Sequence, residues 1–275
     1  MKNFTDKVAA ITGAGSGMGR SLAVLLAKRG CHLALSDVNE AGLAETVRLV
    51  ADSGVKVTSQ RLDVANKDDV FAWADKVVAD HGKVNLIFNN AGVALGSSVD
   101  GGSYEDFEWV MNINFWGVVH GTKAFLPYLK QAGEGHIINT SSLFGLIAVP
   151  SQSAYNASKF AVRGFTEALR QELELEKVNV SATSVHPGGI KTNIAKAARM
   201  DKSVENLGMS VNSTDKFEKL FRTTADDAAA QMIRAVEKNQ RRLLIGNDAK
   251  VLDLMARILP SSYQKLVALS TKTMK

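Results

Sequence analysis

Tyr155 and Lys159 stand four residues apart in Tyr155-Asn156-Ala157-Ser158-Lys159, a spacing that places both side chains on one face of a helix. A phenol titrates near 10, about three units above neutrality, so removing its proton at pH 7 costs roughly 4 kcal/mol. A neighbouring ammonium lowers that cost by stabilising the phenolate. The pair is therefore a candidate general acid/base for an oxygen-bound proton. Alone, the same spacing more often serves surface packing, so the chemistry needs further residues.

Those residues begin near the N-terminus. A strand-like run, Val8 to Thr12, leads into Gly13-Ala14-Gly15-Ser16-Gly17-Met18-Gly19, and Ser21 to Leu26 then follow a helical period. Glycines let a backbone turn tightly and approach a pyrophosphate, whose charge is favoured by the free N–H groups of a helix N-terminus. Asp37 closes the second strand 20 residues after Gly17, where a dinucleotide site places an acid to hydrogen-bond the adenosine ribose. The alternatives are structural: a tight turn at the glycines, a cap by Asp37 for the helix beginning near Asn39, and a plain strand end at Asp63-Val64.

The elements that must position these groups follow from periodicity. Strands are predicted at Val8 to Thr12, His32 to Ser36, Val55 to Leu62, Asn85 to Phe88, Gly135 to Thr140, Val178 to His186 and Arg242 to Ile245. Helices are predicted near 17–29, 39–53, 66–81, 103–130, 153–177 and 225–239, long enough to be the crossovers that parallel strands need. The expectation is an α/β fold: a Rossmann-like, doubly wound, seven-stranded parallel sheet with helices on both faces in a single domain. Residues 1–248 form the catalytic domain in this reading, with 190–224 as a mobile substrate-covering insertion and 249–275 as a helical extension. In the predicted helix from about 249 to 259, Val251, Leu252, Met255, Ile258 and Leu259 form an apolar stripe, and Pro260 ends it.

The glycine spacing at 13, 17 and 19 resembles the core type of short-chain dehydrogenase/reductases, over nearly the whole chain. Further family hallmarks occur in order: Asp63, Asn89-Asn90-Ala91-Gly92, Asn114, Ser142, Tyr155 with Lys159, and Pro187-Gly188-Gly189-Ile190-Lys191-Thr192. The resemblance implies that Tyr155 exchanges a proton with the substrate oxygen and that Ser142 polarises it. It also implies that Lys159 binds the nicotinamide ribose and that Asn114 anchors a relay water. Ser142 is chosen over Ser141 and Thr140 for lying 13 residues before Tyr155, and Asn114 over Asn112 for the Phe115-Trp116-Gly117 that follows. The implied cofactor contacts are Gly13, Ser16, Gly17, Met18, Gly19, Asp37, Asp63, Val64, Asn90, Ala91, Gly92, Pro187, Gly188, Ile190 and Thr192, together with Tyr155 and Lys159. Asp37 favours NAD(H) over NADP(H), because a carboxylate repels a 2′-phosphate; Arg20, just after the loop, is the group that would oppose this.

Composition bounds the rest. The 275 residues are 45% hydrophobic and 22% charged, an ordinary globular balance. The formal charge of +5 is scattered, with Arg241-Arg242 as an isolated pair, which argues against nucleic acid as a partner. The five histidines have no metal-ligand spacing, so no metal is expected. The single cysteine, Cys31, reads as a small buried residue. The N-terminus carries no signal-like segment, which suggests a cytoplasmic protein. A Ser142, His186, Asp63 hydrolase triad is disfavoured, since no Gly-x-Ser-x-Gly turn surrounds Ser142.

The expected function is thus NAD(H)-linked interconversion of a secondary alcohol and a ketone. The alternatives are a non-catalytic dinucleotide sensor and an NADPH-using reductase of 3-oxoacyl thioesters. Leu143, Phe144, Leu146, Ile147, Val149, Ala195, Ala197, Ala198 and Met200 suggest an apolar substrate pocket. A homodimer or homotetramer is expected, with the C-terminal stripe packing on its own chain or a second copy; the alternative for that stripe is peripheral attachment to a membrane.

Overall fold

The computed structural model describes residues 1–194, 197–210 and 221–273. Seven parallel strands form the central sheet: β1 (Val8–Thr12), β2 (His32–Asp37), β3 (Val57–Arg61), β4 (Leu86–Asn89), β5 (Gly135–Thr140), β6 (Val180–Pro187) and β7 (Arg242–Ile245). Their spatial order is β7-β6-β5-β4-β1-β2-β3. The order reverses direction between β1 and β4, and in such sheets the crevice at the carboxyl ends of these strands receives the ligand.

The crossovers are α1 (Gly17–Ala27), α2 (Glu40–Val50), α3 (Lys67–His81), α4 (Tyr104–Met111), α5 (Gly117–Gln131), α6 (Ser153–Leu175) and α7 (Ala225–Glu237). Alternation along β1 shows how both sheet faces are filled. Ala9 and Ile11 join a core with Leu22 and Leu26 of α1 and Met232 and Ile233 of α7, whereas Val8 and Ala10 join Trp73 of α3 and Phe125 of α5. Side chains of a strand point to opposite faces, so a strand covered on both sides is largely apolar, as β1 and β4 are up to their last residues, Thr12 and Asn89.

The predicted helix over 103–130 is broken. Between α4 and α5 the chain makes a π-helical turn, Asn112–Trp116, whose one-residue excess per turn carries Asn114 inward to complete burial. Two-residue strands absent from the expectation pin the 190–224 segment: Leu95–Gly96 pairs with Arg199–Met200, and Ile190–Lys191 with Thr223–Thr224. Ala195, expected in the substrate pocket, lies outside the described residues.

The C-terminal extension forms two helices, α8 (Asn247–Ile258) and, beyond Pro260, α9 (Tyr263–Thr273). The predicted stripe is turned: Ala249, Leu252, Met255 and Ala256 pack inward with Leu143 and Ile147, while Val251 and Ile258 stay exposed at 64% and 66%. Small alanines at 249 and 256 allow close approach on that side, and burial follows the better-fitting face. Among the described residues, no helix is long and apolar enough to cross a membrane, and no group of three or more His, Cys, Asp or Glu could hold a metal. Cys31 is fully buried, and burial pushes its thiol up to about 12, leaving it inert.

Candidate active site

The glycine turn is built for close backbone approach. Gly13 and Gly17 have φ of +66° and +50°, left-handed values that glycine adopts without strain. A Cβ on Gly19 would stand 2.1 Å from the Gly13 carbonyl oxygen, so Gly19 packs α1 onto the turn. Ser16 precedes α1 without capping it through its side chain, and no acid sits in the first turn. The first N–H groups of α1 are thereby left for an anion. Asn90 braces the turn from β4, its Nδ2 donating to the Thr12 carbonyl at 3.1 Å, while its Oδ1 is buried and unpaired.

Asp37 closes one side. Its Oδ2 accepts the Gly15 N–H at 2.8 Å and its Oδ1 accepts the Asn39 N–H at 2.8 Å. Arg20 does not face outward. Its guanidinium donates to the Gly15 and Gly42 carbonyls and, through Nε, to Thr46 Oγ1, tying the turn to α2. Gly13, Ser16, Gly17, Met18, Asp37, Asp63, Val64, Asn90, Ala91, Gly92 and Thr192 line one continuous cleft. Uncapped helix amides, a glycine cradle and an acid at the β2 end are a set that fits a dinucleotide.

The acid/base pair lies beside the cleft, behind Gly92. A Cβ on Gly92 would lie 3.2 Å from Asn114 Oδ1 and 3.4 Å from Lys159 Nζ, which fixes how close these groups come to the lining. Tyr155 and Lys159 share a face of α6, with the ammonium 5.7 Å from the phenol ring centroid. Lys159 is 3% exposed, and Nζ donates to the Thr140 carbonyl at 3.0 Å. Burial lowers its pKa to about 8. Burial raises the Tyr155 phenol, against the opposing pull of a hydrogen bond with Ser142. Burial thus outweighs the expected lowering by Lys159, whose ammonium is directed at the Thr140 carbonyl.

Ser142 precedes the short 3-10 turn Leu143–Gly145, and its Oγ accepts the Phe144 N–H at 3.1 Å. An oxygen so engaged keeps its own O–H available as a donor. Asn114 is held on three sides: Oδ1 accepts the Val93 N–H at 2.8 Å, and Nδ2 donates to the Val93 carbonyl at 3.0 Å and to Ser158 Oγ at 3.2 Å. Its amide is thus locked between the β4 end and α6.

Several expected residues sit elsewhere. Gly19, Asn114, Ser142, Tyr155, Lys159, Pro187, Gly188 and Ile190 do not themselves line the cleft; Asn114 and Lys159 stand behind Gly92, and the Gly188 N–H is bonded to the Ile245 carbonyl. His186 meets the Ser142 carbonyl rather than its hydroxyl, so no hydrolase triad forms. Leu143 and Ile147 face α8 and α9, Phe144 stands edge-on to Tyr155, and Met200 packs on Gly96. Cleft walls overlooked in the sequence are Val38, Leu62, Val93, Ala94, Ile113 and Ile194. Val38, Leu62 and Ile113 each adjoin an expected contact, and their apolar character beside polar neighbours was the available signal.

Known proteins share this arrangement. The short chain dehydrogenase family model matches residues 7–203. SadH of Mycobacterium tuberculosis is 51% identical over 269 residues, covering 98% of this chain and 96% of that protein. A short-chain dehydrogenase/reductase from Burkholderia phymatum, solved in complex with NAD, has a TM-score of 0.89 at 33% identity, covering 96% of this chain and 97% of that one. An alcohol dehydrogenase from the archaeon Thermococcus sibiricus, complexed with 5-hydroxy-NADP, has a TM-score of 0.71 at 26% identity, covering 87% of this chain and 95% of that one. With the glycine turn, the Asn114 turn and the Tyr155–Lys159 helix placed around one cleft, and with matches spanning most of its length, this protein belongs to the short-chain dehydrogenase/reductase family of oxidoreductases.

Proposed function

We propose that this chain interconverts a secondary alcohol and a ketone with NAD(H) as its preferred cofactor, Tyr155 acting as the general acid/base. The observation that carries the reading is that Tyr155 and Lys159 share one face of α6, with Ser142 bonded to the phenol and the Lys159 ammonium next to Gly92 of a cleft that runs to the glycine turn and Asp37. When bound, the nicotinamide ring supplies the hydride acceptor or donor.

The chain's own groups handle the oxygen. Ser142 Oγ, already accepting from Phe144, donates its proton toward the substrate oxygen and orients it. Tyr155 takes the hydroxyl proton during oxidation and returns one during reduction. Lys159 is buried with a pKa near 8, so it carries its charge at neutral pH, where that charge favours the phenolate. Asn114 fixes the Val93 backbone and Ser158, which keeps the cleft floor aligned with α6.

Asp37 supports the NAD preference. A 2′-phosphate would meet a carboxylate, and the guanidinium of Arg20, just after the glycine turn, is already bonded to the Gly15 and Gly42 carbonyls. The apolar walls Val93, Ala94, Ile113 and Ile194 suit an apolar substrate. We read the outward stripe of Val251, Leu254 and Ile258 on α8 as a face covered by a second copy.

A panel of secondary alcohols and ketones, followed by nicotinamide absorbance with NAD and NADP pairs in parallel, tests the proposal. Turnover of apolar secondary alcohols with NAD is expected. A chain that binds NAD but turns over no alcohol or ketone would instead be a dinucleotide sensor, and turnover confined to 3-oxoacyl thioesters with NADPH would favour that alternative.

A further inference from the structure

The C-terminal helices contact the segments that follow Pro187 and Ser142, at one point each. Asp248, in the first turn of α8, accepts the Gly189 N–H at 2.6 Å. Tyr263, which opens α9, is 7% exposed, and its ring packs in one cluster with Leu143 and Ile147. Its hydroxyl oxygen accepts the Ala148 N–H at 3.1 Å.

The segment held by Tyr263 is the continuation of Ser142. Within it, Phe144 donates its N–H to Ser142 Oγ and sets its ring edge-on to Tyr155 at 6.1 Å between centroids. Apart from the 3-10 turn at Leu143–Gly145, residues 143–149 have no regular structure. No sheet ladder sets their position: amides of Gly145, Leu146 and Ile147 close the turn locally, and side-chain contacts tie it to the rest of the chain. A phenylalanine at 263 would fill the same apolar site, so the hydroxyl adds one directional bond to a specific amide of this loop.

We propose that Tyr263 is a positioning residue: α9 holds the 143–149 loop through the Ala148 amide and so sets Ser142 and Phe144 against Tyr155. The proposal rests on the oxidoreductase reading above for its catalytic consequence, though not for the anchoring itself. In chemical terms the loop end carries the oxygen-orienting hydroxyl, and a loose loop spreads that hydroxyl over unproductive positions. Orientation losses appear in kcat while cofactor binding, made at the glycine turn and Asp37, stays as it was.

The test compares the full-length wild-type chain with Tyr263→Phe, which keeps the ring and removes one oxygen. Hydrogen exchange of peptides covering 142–150, with NAD present, should quicken severalfold in the variant and remain unchanged over 8–27. With an alcohol identified in the panel, kcat should fall roughly three- to tenfold, the span expected for one hydrogen bond, with KM for NAD within twofold. Unaltered exchange over 142–150 would overturn the anchor, and quicker exchange with unaltered kcat would overturn the positioning of Ser142 and Phe144 by it. A fall in kcat matched by a comparable rise in KM for NAD would point to general loosening and also overturn it. Because exchange is read without turnover, a wild-type chain inactive on every alcohol and ketone would defeat the oxidoreductase reading and still leave the anchor decided.

Discussion

His186 donates its Nδ1 proton to the main-chain carbonyl of Ser142 at 3.1 Å, and its Nε2 accepts from Ser184 Oγ at 3.0 Å. A carbonyl can only accept, so Nδ1 carries the proton and the ring is neutral. Burial holds its pKa at about 3, and β6 thereby fixes the backbone of Ser142 at any physiological pH.

Replacing His186 with Leu should remove one of the two donors to that carbonyl, the Gly145 N–H remaining, and so lower stability by about 0.5–1.5 kcal/mol and reduce turnover, whereas His186→Asn keeps a donor and should recover part of both. The ring also has a pH signature. An unfolded imidazole titrates near 6.5, so the unfolded chain takes up the proton first and stability falls as pH drops from about 6.5 toward 3. His136, held near 3 by burial, contributes over the same window. Urea unfolding between pH 7 and 4 should show a shallower decline in His186→Asn, and an identical slope would count against this assignment.

Tyr155→Phe should keep NAD binding and melting temperature while lowering kcat by about 10²- to 10⁴-fold, because it removes the proton-carrying oxygen alone. Near-normal kcat with the panel's best substrate would end the acid/base assignment.

Lys159 offers a separation of stability from activity. Its folded pKa of about 8 lies below the ordinary 10.5, so the folded chain gives up the proton first as pH rises. The burial cost is present below pH 8 and is relieved between 8 and 10.5. Lys159→Met should therefore abolish turnover, leave stability at pH 7 equal or higher, and lose the part of the rise between pH 8 and 10.5 that Lys159 supplies. Denaturant melts at pH 7 and 9.5 check this, and a variant markedly less stable at pH 7 would contradict it.

Asp37→Ala should narrow the ratio of kcat/KM for NAD over NADP by tenfold or more, each tenfold corresponding to about 1.4 kcal/mol. Arg20→Ala should not shift the ratio toward NAD, since its guanidinium is occupied by backbone carbonyls and Thr46. It should loosen the turn and weaken both cofactors alike. Equal use of NADP by the unaltered chain would show that Asp37 does not face the ribose.

The outward face of α8 can be tested without disturbing its inner face. Val251→Asp combined with Ile258→Asp should reduce the particle mass measured by light scattering while the melting curve of the isolated chain persists, because both residues are exposed. An unchanged mass, or loss of binding to anionic vesicles in place of a mass change, would reassign the stripe.

Much of this protein is legible along the chain. Strands β1, β5 and β7 fall at the residues their apolar runs predict, and the glycine turn, Asp37, and the Tyr155–Lys159 pair are recognisable because each is defined by neighbours a few residues away. Local spacing is enough to specify a strand, a turn or a shared helix face. Other features depend on partners far apart in sequence. Arg20 is tied down by the Gly42 carbonyl and Thr46 hydroxyl of α2, Asn114 is drawn in by Val93 across a π-helical turn, and Tyr263 meets Ala148 across 115 residues. The face that α8 buries is likewise chosen by which side fits Leu143 and Ile147, not by which is more apolar. Such contacts arise only once the sheet has brought distant segments together, since close packing and the pairing of buried polar groups are properties of the assembled chain.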